Sequence, residues 1–212
     1  MNDPWTFGVA PTSQMLELAP LLRRITGLAL SLEHDDPALA QLIDELRAAE
    51  RALAAIAPAD TAPRIGEHPQ REQRAYIDHS RDIGAYNACF PEYTISVDGA
   101  HADGQVTFPL AFEGPPGIVH GGFLATFFDC AIQHHNCDVG VAGKTASLLV
   151  EFRRPAPIAT ELRFEIERAT DERRITSNAQ LWHDDDLLCT ATMEAVAGDR
   201  TRLPRVSPRR PA

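Results

Sequence analysis

The spacing of the apolar residues changes at Glu92, and this change restricts the fold more than any other feature of the chain. Alternating apolar and polar residues over 93–97 and 105–112 predict two strands, although Pro109 places the second at a sheet edge or a bulge. One long helix is predicted to begin near His120. Four further strands are predicted at about 145–153, 160–170, 173–183 and 187–196. This order predicts an α+β fold with an open antiparallel sheet, whose edge can pair with a second copy.

The region before Glu92 has a helical pattern. Residues 13–33 place apolar side chains at steps of three and four, and the same rhythm returns between Leu39 and Ile56. Asp36 and Pro37 interrupt the pattern and predict the N-cap and the first position of the second helix. Two helices joined by a short turn predict an antiparallel hairpin, which we expect to pack on its own domain or on a partner subunit. A dedicated recognition module is the alternative.

Shifts in composition divide the chain into four predicted segments. Pro and Gly among polar residues at 58–75 indicate a linker, and a short helix is expected around 76–83. A loose tail rich in Pro and Arg is expected from Arg200. The segments are a helical hairpin extension at 1–57, a linker with a short helix at 58–91, the α+β domain at 92–198 and a flexible tail at 199–212.

Charge and cysteine content exclude several classes of function. The 212-residue chain carries a formal net charge of −10, so we expect no non-specific binding to nucleic acid or to an anionic membrane. Its four cysteines form no CxxC pair, and the chain shows no secretory leader or membrane-spanning run, which together predict reduced thiols in the cytoplasm. Cys130 and His134 are spaced like metal ligands, but without a second such pair we expect no metal site and no cofactor.

The Gly- and Pro-rich segment 112–122 is the strongest indication of chemistry. It predicts a tight turn into a helix N-terminus, where unpaired backbone N–H groups and a partial positive charge can stabilise a carbonyl oxygen that gains negative charge. Asp129, two turns into the helix, can act there as a base toward water or as a nucleophile. The spacing is equally consistent with His120 as a structural group of the turn and as a hydrogen-bond donor to a ligand.

A helical wheel separates Asp129 from the apolar side of the helix. The side expected to be buried carries Phe123, Leu124, Phe127, Phe128 and Ala131. Asp129 falls nearly opposite, beside small or polar residues that include Gln133, so we predict that it lies outside the core and is open to a ligand. A surface acid without function is the alternative, and the preceding glycine-rich turn favours the functional interpretation.

Residues 112–129, together with Thr145 and the Phe-Arg-Arg-Pro sequence at 152–155, resemble the hotdog-fold acyl-CoA thioesterases. The similarity is greatest to the phenylacetate-degradation type and to the mammalian mitochondrial thioesterases of the carboxyl-terminal modulator protein type, and it covers about 92–197. Its main element is a His-Gly-Gly turn with an acid nine residues after the histidine. The resemblance implies a sheet wrapped around one helix and hydrolysis of an acyl-CoA to a free acid and coenzyme A. It also implies a homodimer or dimer of dimers with active sites between subunits.

The resemblance further implies a role for each matching residue. Asp129 is the expected base or nucleophile, the Gly121 N–H is the expected oxyanion donor, and His120 is expected to hold or polarise the thioester. Thr145 matches a Ser or Thr that orients the attacking water. The residues expected to bind the substrate, chiefly its coenzyme A part, are Gly122, Asn87, Arg153, Arg173 and Arg174.

Two features depart from the pattern of these enzymes and keep alternatives open. Gly114 stands where several relatives carry Asn or Gln, and Asn87 is a candidate to supply the missing polar group. The helical hairpin lies outside the usual domain. A non-catalytic module that binds acyl-CoA or lipid is therefore the first alternative, and an enoyl-thioester hydratase is a weaker one.

Overall fold

The computed structural model describes residues 11–57, 82–139 and 143–197. Its helices are α1 (Ser13–Leu30), α2 (Pro37–Ile56), α3 (Ile83–Tyr86) and α4 (Gly121–Asp138). Its strands are β1 (Tyr93–Asp98), β2 (His101–Thr107), β3 (Gly143–Phe152), β4 (Glu161–Asp171), β5 (Arg174–His183) and β6 (Asp186–Ala197). The predicted linker at 58–75, all but the end of the helix predicted around 76–83, and the tail at 199–212 lie outside the described residues. None of the helices in the described ranges is long and apolar enough to cross a membrane.

The two N-terminal helices form where the sequence predicts them. α1 begins after Thr12, whose hydroxyl accepts a hydrogen bond from the Met15 N–H at 3.4 Å. α2 begins after Asp36, whose carboxylate accepts from the Ala38 N–H at 2.8 Å, and Pro37 takes the first helical position. Both caps satisfy N–H groups that have no partner within their helix. α1 ends before the predicted position 33.

A buried arginine fixes α1 to the segment around α3. The Arg23 side chain is 4% exposed, and its Nε donates to the Phe90 carbonyl at 2.7 Å. Its Nη2 donates to the carbonyls of Gly84 at 2.6 Å and Asn87 at 3.1 Å, and its Nη1 forms an ion pair with Glu92 at 3.0 Å. Burial lowers the pKa of Arg23, although the Glu92 carboxylate acts in the opposite direction. Charge-assisted hydrogen bonds thus hold the chain before β1 against α1.

The six strands form one antiparallel sheet in the order β1-β2-β4-β5-β6-β3. The four strands predicted after the helix are confirmed within a few residues at each end. β4, β5 and β6 form a meander, and Glu172 and Asp184 adopt left-handed backbone in its two turns, with φ of 51° and 52°. Among the described strands, β3 pairs only with β6 and therefore forms an edge of the sheet. The predicted α+β architecture is confirmed.

The prediction for the second strand is wrong at both ends. The alternating pattern predicts a strand over 105–112, whereas β2 spans His101–Thr107 and pairs with both β1 and β4. Pro109 has no backbone N–H to donate, so the ladder ends before it. Leu110–Phe112 forms a short 3-10 helix instead, and the Phe108 and Phe112 side chains turn into the core.

α4 is the centre of the hydrophobic core. Its buried apolar side chains include Leu124, Phe127, Phe128, Ala131 and Ile132. The Phe127 ring meets the Phe164 ring of β4 edge-on, with centroids 5.2 Å apart. Phe123 corrects the prediction from the helical wheel, because it is 38% exposed and packs on Phe112 at the rim of the core, with centroids 5.0 Å apart. The other four residues of the predicted apolar side are buried as expected.

The second half of α4 buries polar side chains, and residues 131–137 are all buried. The Tyr93 hydroxyl contacts His134 Nδ1 at 2.7 Å, and His135 Nε2 contacts the Gly99 carbonyl at 2.9 Å. Burial raises the pKa of Tyr93 and lowers the pKa of His135. Such pairing offsets the cost of removing polar groups from water. The pairing accounts for part of the polar content of this buried turn, while His135 Nδ1 and Asn136 Nδ2 have no hydrogen-bond partner within the described residues.

Candidate active site at the start of the central helix

The segment before α4 is a compact hydrogen-bonded loop. The Glu113 carboxylate accepts from the Gly117 N–H at 2.6 Å. Gly117 has a φ of 78°, a left-handed conformation that is unfavourable for residues with a Cβ. The His120 N–H closes the loop by donating to the Phe112 carbonyl at 2.9 Å. These bonds place His120 at the start of α4 in a defined orientation.

His120 is the N-cap of α4. Its Nδ1 accepts a hydrogen bond from the Gly122 N–H at 3.0 Å, while the side chain remains exposed. An accepting Nδ1 carries no proton, so the neutral ring carries its proton on Nε2 and can donate from there. The structural interpretation of His120 is therefore confirmed, because its side chain caps the helix, and the Nε2 donor is compatible with the second interpretation. Its role toward a substrate stays a prediction.

The Gly121 N–H lies at the helix N-terminus, where the helix itself offers no acceptor. The His120 carbonyl accepts from the N–H groups of Phe123 at 2.9 Å and Leu124 at 3.3 Å. Within the described residues, no hydrogen bond is donated by the Gly121 N–H. A Cβ at position 121 would lie 2.9 Å from the Phe152 ring, so only glycine lets that ring approach the helix this closely. This N–H and the partial positive charge of α4 suit an anionic oxygen.

Gly114 is explained by its contact with His120. A Cβ at position 114 would lie 2.9 Å from the His120 Cα, so an Asn or Gln would displace the N-cap residue. The departure from the thioesterase pattern at this position is thus a packing requirement of the loop. The side-chain oxygen of Asn87, the candidate replacement, accepts from the Cys89 N–H at 2.9 Å. Whether Asn87 serves a substrate stays a prediction.

Asp129, Thr145 and Gln133 form a hydrogen-bonded chain. The Thr145 hydroxyl donates to Asp129 Oδ1 at 2.8 Å, and Gln133 Nε2 donates to the same Thr145 oxygen at 3.0 Å. Asp129 is half-buried and Thr145 is exposed, whereas Gln133 is buried. The structure therefore brings together two predicted site residues that are far apart in sequence, at a surface open to a ligand. Their catalytic roles stay predictions.

A β-bulge turns Thr145 toward Asp129. The pairing of β3 with β6 shifts between Thr145 and Ser147, so Ala146 is an extra residue in β3. Side chains alternate along a regular strand, and without the extra residue Thr145 and Leu148 would face opposite sides. Leu148 packs against the core, and Thr145 contacts α4 on the same side. The bulge is thus what gives Thr145 its contact with the carboxylate.

The cysteines near the site are held in their protonated form. Burial raises the pKa of the Cys130 thiol to about 12, and the neighbouring Asp129 carboxylate acts in the same direction. Burial also raises the pKa of Cys189 to about 12. Because the thiolate is the reactive form of cysteine, neither thiol is a candidate nucleophile at neutral pH. In the described ranges, no group of three or more His, Cys, Asp or Glu side chains could hold a metal ion.

The arginines expected to contact coenzyme A lie at the ends of strands. Arg153 follows β3 and forms an ion pair with Glu151 at 3.6 Å. Arg173, in the turn before β5, donates to a carbonyl of β6 at 3.2 Å, and Arg174 forms an ion pair with Glu194 at 3.7 Å. The side chains of Arg153 and Arg174 are more than half exposed. These contacts do not join the arginines to Asp129, and their roles stay predictions.

Sequence reasoning missed two buried polar residues. The helical wheel places Gln133 on the side of Asp129 but assigns it no role, although a position four residues after a candidate catalytic acid shares its helix face. That spacing was the signal available. Arg23 interrupts the apolar pattern of α1, and its bonds to the carbonyls around α3 depend on contacts that no local pattern encodes.

Comparisons with known proteins agree with this architecture. No protein-family model matches the chain. Acyl-coenzyme A thioesterase THEM4 of Xenopus laevis is 31% identical over 80 residues, which are 37% of this chain and 36% of that protein. The alignment thus spans about a third of the length of that relative. A crystal structure of a thioesterase superfamily protein superposes with a TM-score of 0.71 at 25% sequence identity, covering 90% of this chain and 100% of that one.

The comparisons confirm the hotdog fold and the predicted resemblance to thioesterase superfamily proteins. The solved structure covers 90% of this chain, so the similarity includes residues before β1 as well as the sheet and α4. The helical N-terminal region is therefore shared with at least one solved thioesterase superfamily protein.

Proposed function

We propose that this chain is an acyl-CoA thioesterase that hydrolyses the thioester of an acyl-CoA to a free acid and coenzyme A. The main supporting observation is the 2.8 Å hydrogen bond from the Thr145 hydroxyl to the Asp129 carboxylate. Both groups belong to a site whose helix begins at Gly121, and the Gly121 N–H donates to no group in the described residues. The partial sequence similarity to an acyl-coenzyme A thioesterase of Xenopus laevis supports the same chemistry.

The N-terminus of α4 is proposed to bind the thioester carbonyl. The oxygen accepts from the Gly121 N–H, and the Nε2–H of His120 is a second donor toward the thioester. Both donors are fixed before the substrate binds, because the loop and the N-cap hold them. Fixed donors stabilise the negative charge that develops on the oxygen in the tetrahedral intermediate.

Asp129 is proposed to activate water or to attack the carbonyl carbon directly. The Thr145 hydroxyl occupies Oδ1 and leaves Oδ2 for the reaction. In the first route, water loses a proton to Oδ2 as its oxygen bonds to the carbonyl carbon, and that proton passes to the departing coenzyme A sulfur. In the second route, Oδ2 bonds to the carbonyl carbon, the carbon–sulfur bond breaks and coenzyme A leaves as a thiolate. Water then cleaves the resulting anhydride to the free acid and the Asp129 carboxylate, and the proton that water gives up passes to the thiolate.

Each site is proposed to lie between two copies of the chain, as the resemblance implies. β3 is an edge strand among the described strands, and two of its own apolar side chains, Leu149 and Phe152, are 62% and 58% exposed. An exposed edge with apolar side chains favours pairing with another chain. The second copy would then bring its own α4 toward the substrate. Arg153, Arg173 and Arg174 remain the candidates to contact the phosphates of coenzyme A.

Release of thiol from a panel of acyl-CoAs tests the function. The panel contains short, medium and long aliphatic acyl groups and an aryl-acetyl group. We expect at least one to be hydrolysed, and Asp129→Asn to lower kcat by about a hundredfold or more with the fold intact. Asp103→Asn, which changes an exposed carboxylate on β2, is the matched control and should keep wild-type activity.

The possible results separate the alternatives. Binding of acyl-CoA without release of thiol would support the non-catalytic module. Hydration of crotonyl-CoA would support the enoyl-thioester hydratase. Hydrolysis that survives Asp129→Asn would leave a thioesterase but would contradict the role given to this carboxylate.

A further inference from the structure

We propose that Gln133 is a positioning residue that fixes the direction of the Thr145 hydroxyl, an inference that rests on the proposed function. Gln133 lies four residues after Asp129, on the same face of α4. Its Nε2 donates to Thr145 Oγ1 at 3.0 Å, and that hydroxyl donates to Asp129 Oδ1 at 2.8 Å. The contacts run from the helix to the edge strand and back to the helix.

The direction of each hydrogen bond follows from counting protons. The Thr145 hydroxyl has one proton, and an amide N–H of Gln133 already occupies an acceptor position on its oxygen. The proton is therefore left for the Asp129 carboxylate. With the amide reversed, Gln133 Oε1 would compete with a charged acceptor for that proton, and the carboxylate is the stronger acceptor. Nε2 toward Thr145 is the orientation in which both bonds form.

The stability of the fold does not account for an amide at this position. Gln133 is 7% exposed, and within the described residues its Oε1 has no hydrogen-bond partner. Its Nε2 also lies 3.8 Å from Met193 Sδ, which is a weak acceptor. An unpaired buried carbonyl costs free energy that an apolar side chain of similar shape avoids. A methionine has a similar shape and no carbonyl to leave unpaired, so we expect it to cost no stability. The feature to explain is therefore the bond to Thr145.

The hydrogen bond from Gln133 also holds the Thr145 side chain in the position that the β-bulge gives it. Thr145 is exposed, and its hydroxyl would rotate toward water if only one partner held it. With Gln133 behind it and Asp129 in front, the hydroxyl is held in one direction, and Asp129 Oδ2 faces the substrate. Gln133 touches neither substrate nor reacting atoms in this arrangement. Its loss should therefore change kcat and leave KM near the wild-type value.

The test is a double-mutant cycle on acyl-CoA hydrolysis. Gln133→Met keeps the shape and removes the donor, and we expect it to lower kcat about tenfold, as for one net hydrogen bond. Gln133→Glu offers an acceptor to Thr145 in place of a donor and should lower kcat at least as much. In the Thr145→Val background Gln133→Met should have no further effect, whereas in Thr145→Ser, which keeps the hydroxyl, the tenfold loss should remain.

Ser177→Ala is the matched control. It removes a buried hydroxyl that, like the Oε1 atom of Gln133, has no hydrogen-bond partner in the described residues. Because Ser177 makes no hydrogen bond with Thr145 or Asp129 in the hydrogen-bonded chain, kcat should not change. Thermal unfolding of each variant separates loss of activity from loss of fold, and Gln133→Met should melt at or above the wild-type temperature.

Several results would overturn the inference. Wild-type kcat in Gln133→Met contradicts it, as does a loss that persists in full in the Thr145→Val background. Failure of both Gln133 variants to fold would assign the residue a structural role instead. A wild-type protein that hydrolyses no acyl-CoA would refute the proposed function and this inference together, whereas an active enzyme that is insensitive to Gln133 would refute this inference alone.

Discussion

The length of α4 separates Gly121 from Asp129 and predicts that the two act in different copies of the chain. They are eight residues apart, which corresponds to about 12 Å along a helix at 1.5 Å per residue. Direct attack requires the reacting atoms to approach within about 3–3.5 Å. A carbonyl held at the Gly121 N–H is thus beyond direct reach of the Asp129 carboxylate in the same chain. Variants that each lose one of these groups should therefore complement each other.

The first perturbation removes a single N–H group. Proline is tolerated at the first position of a helix, and the preceding residue, His120, already has a compatible conformation with φ −65° and ψ 131°. Gly121→Pro should lower kcat by about 10²–10³-fold, the loss typical of one oxyanion donor. Gly121→Ala causes the same crowding against the exposed Phe152 ring but keeps the N–H, so it should retain most of the activity.

The second perturbation is a mixed dimer in which one chain carries Gly121→Pro and the other carries Asp129→Asn. The two variants are co-expressed with different affinity tags, and the mixed species is purified on both. If the groups act across the interface, one site of a mixed dimer carries both changes and the other carries neither. The mixed dimer should then have about half the activity of the wild-type dimer, because a twofold axis generates two equivalent sites. Release of coenzyme A is measured with a thiol reagent.

One result would refute the reasoning from helix length. A mixed species as inactive as either parent means that both groups serve the site of one copy. A doubly tagged Asp129→Asn dimer gives the background, and a doubly tagged wild-type dimer gives full activity. Purification on both tags establishes that the species contains both chains, and gel filtration establishes its oligomeric size.

Two further predictions concern stability. Arg23→Leu leaves the carbonyls of Gly84, Asn87 and Phe90 without their donor. At about 1 kcal/mol or more for each unpaired carbonyl, it should lower the free energy of unfolding by about 3 kcal/mol or more. Urea denaturation measures this, and a loss below about 1 kcal/mol would contradict the anchoring role. Burial lowers the pKa of His135, so the unfolded chain binds a proton near pH 6.5 before the folded chain does, and stability should fall as the pH drops below about 6.5. His135→Gln can still donate to the Gly99 carbonyl but does not titrate. Its melting temperature between pH 5 and 8 should therefore depend less on pH than that of the wild-type protein. Identical profiles for the two proteins would exclude His135 as the cause.

Local signals in the sequence were sufficient for the elements and for part of the site. The period of the apolar residues located α1, α2, α4 and the last four strands, because side-chain periodicity depends only on the local backbone. Asp36 and Pro37 predicted the start of α2 for the same reason. The glycine-rich turn before α4 and the position of Asp129 outside the core also followed from short segments.

The predictions that were wrong concern the burial of Phe123 and the ends of β2, and both depend on contacts with other elements of the fold. Phe123 falls on the apolar side of α4 but is 38% exposed and packs on Phe112 at the edge of the core. β2 stops before Pro109, and its start at His101 is set by pairing with β1 and β4. A helical wheel or an alternating pattern contains no information on where a neighbouring element ends.

The sequence by itself thus determined which segments are helices and strands, and that a helix N-terminus with a nearby acid stands at the centre of the chain. Only the tertiary structure decided that Thr145 meets Asp129, because one extra residue in β3 changes the side to which its side chain points. It also decided that Gln133 lies behind that threonine and that Arg23 joins α1 to the chain before β1. Hydrogen bonds act over about 3 Å, and residues distant in sequence come that close only after the sheet has its register.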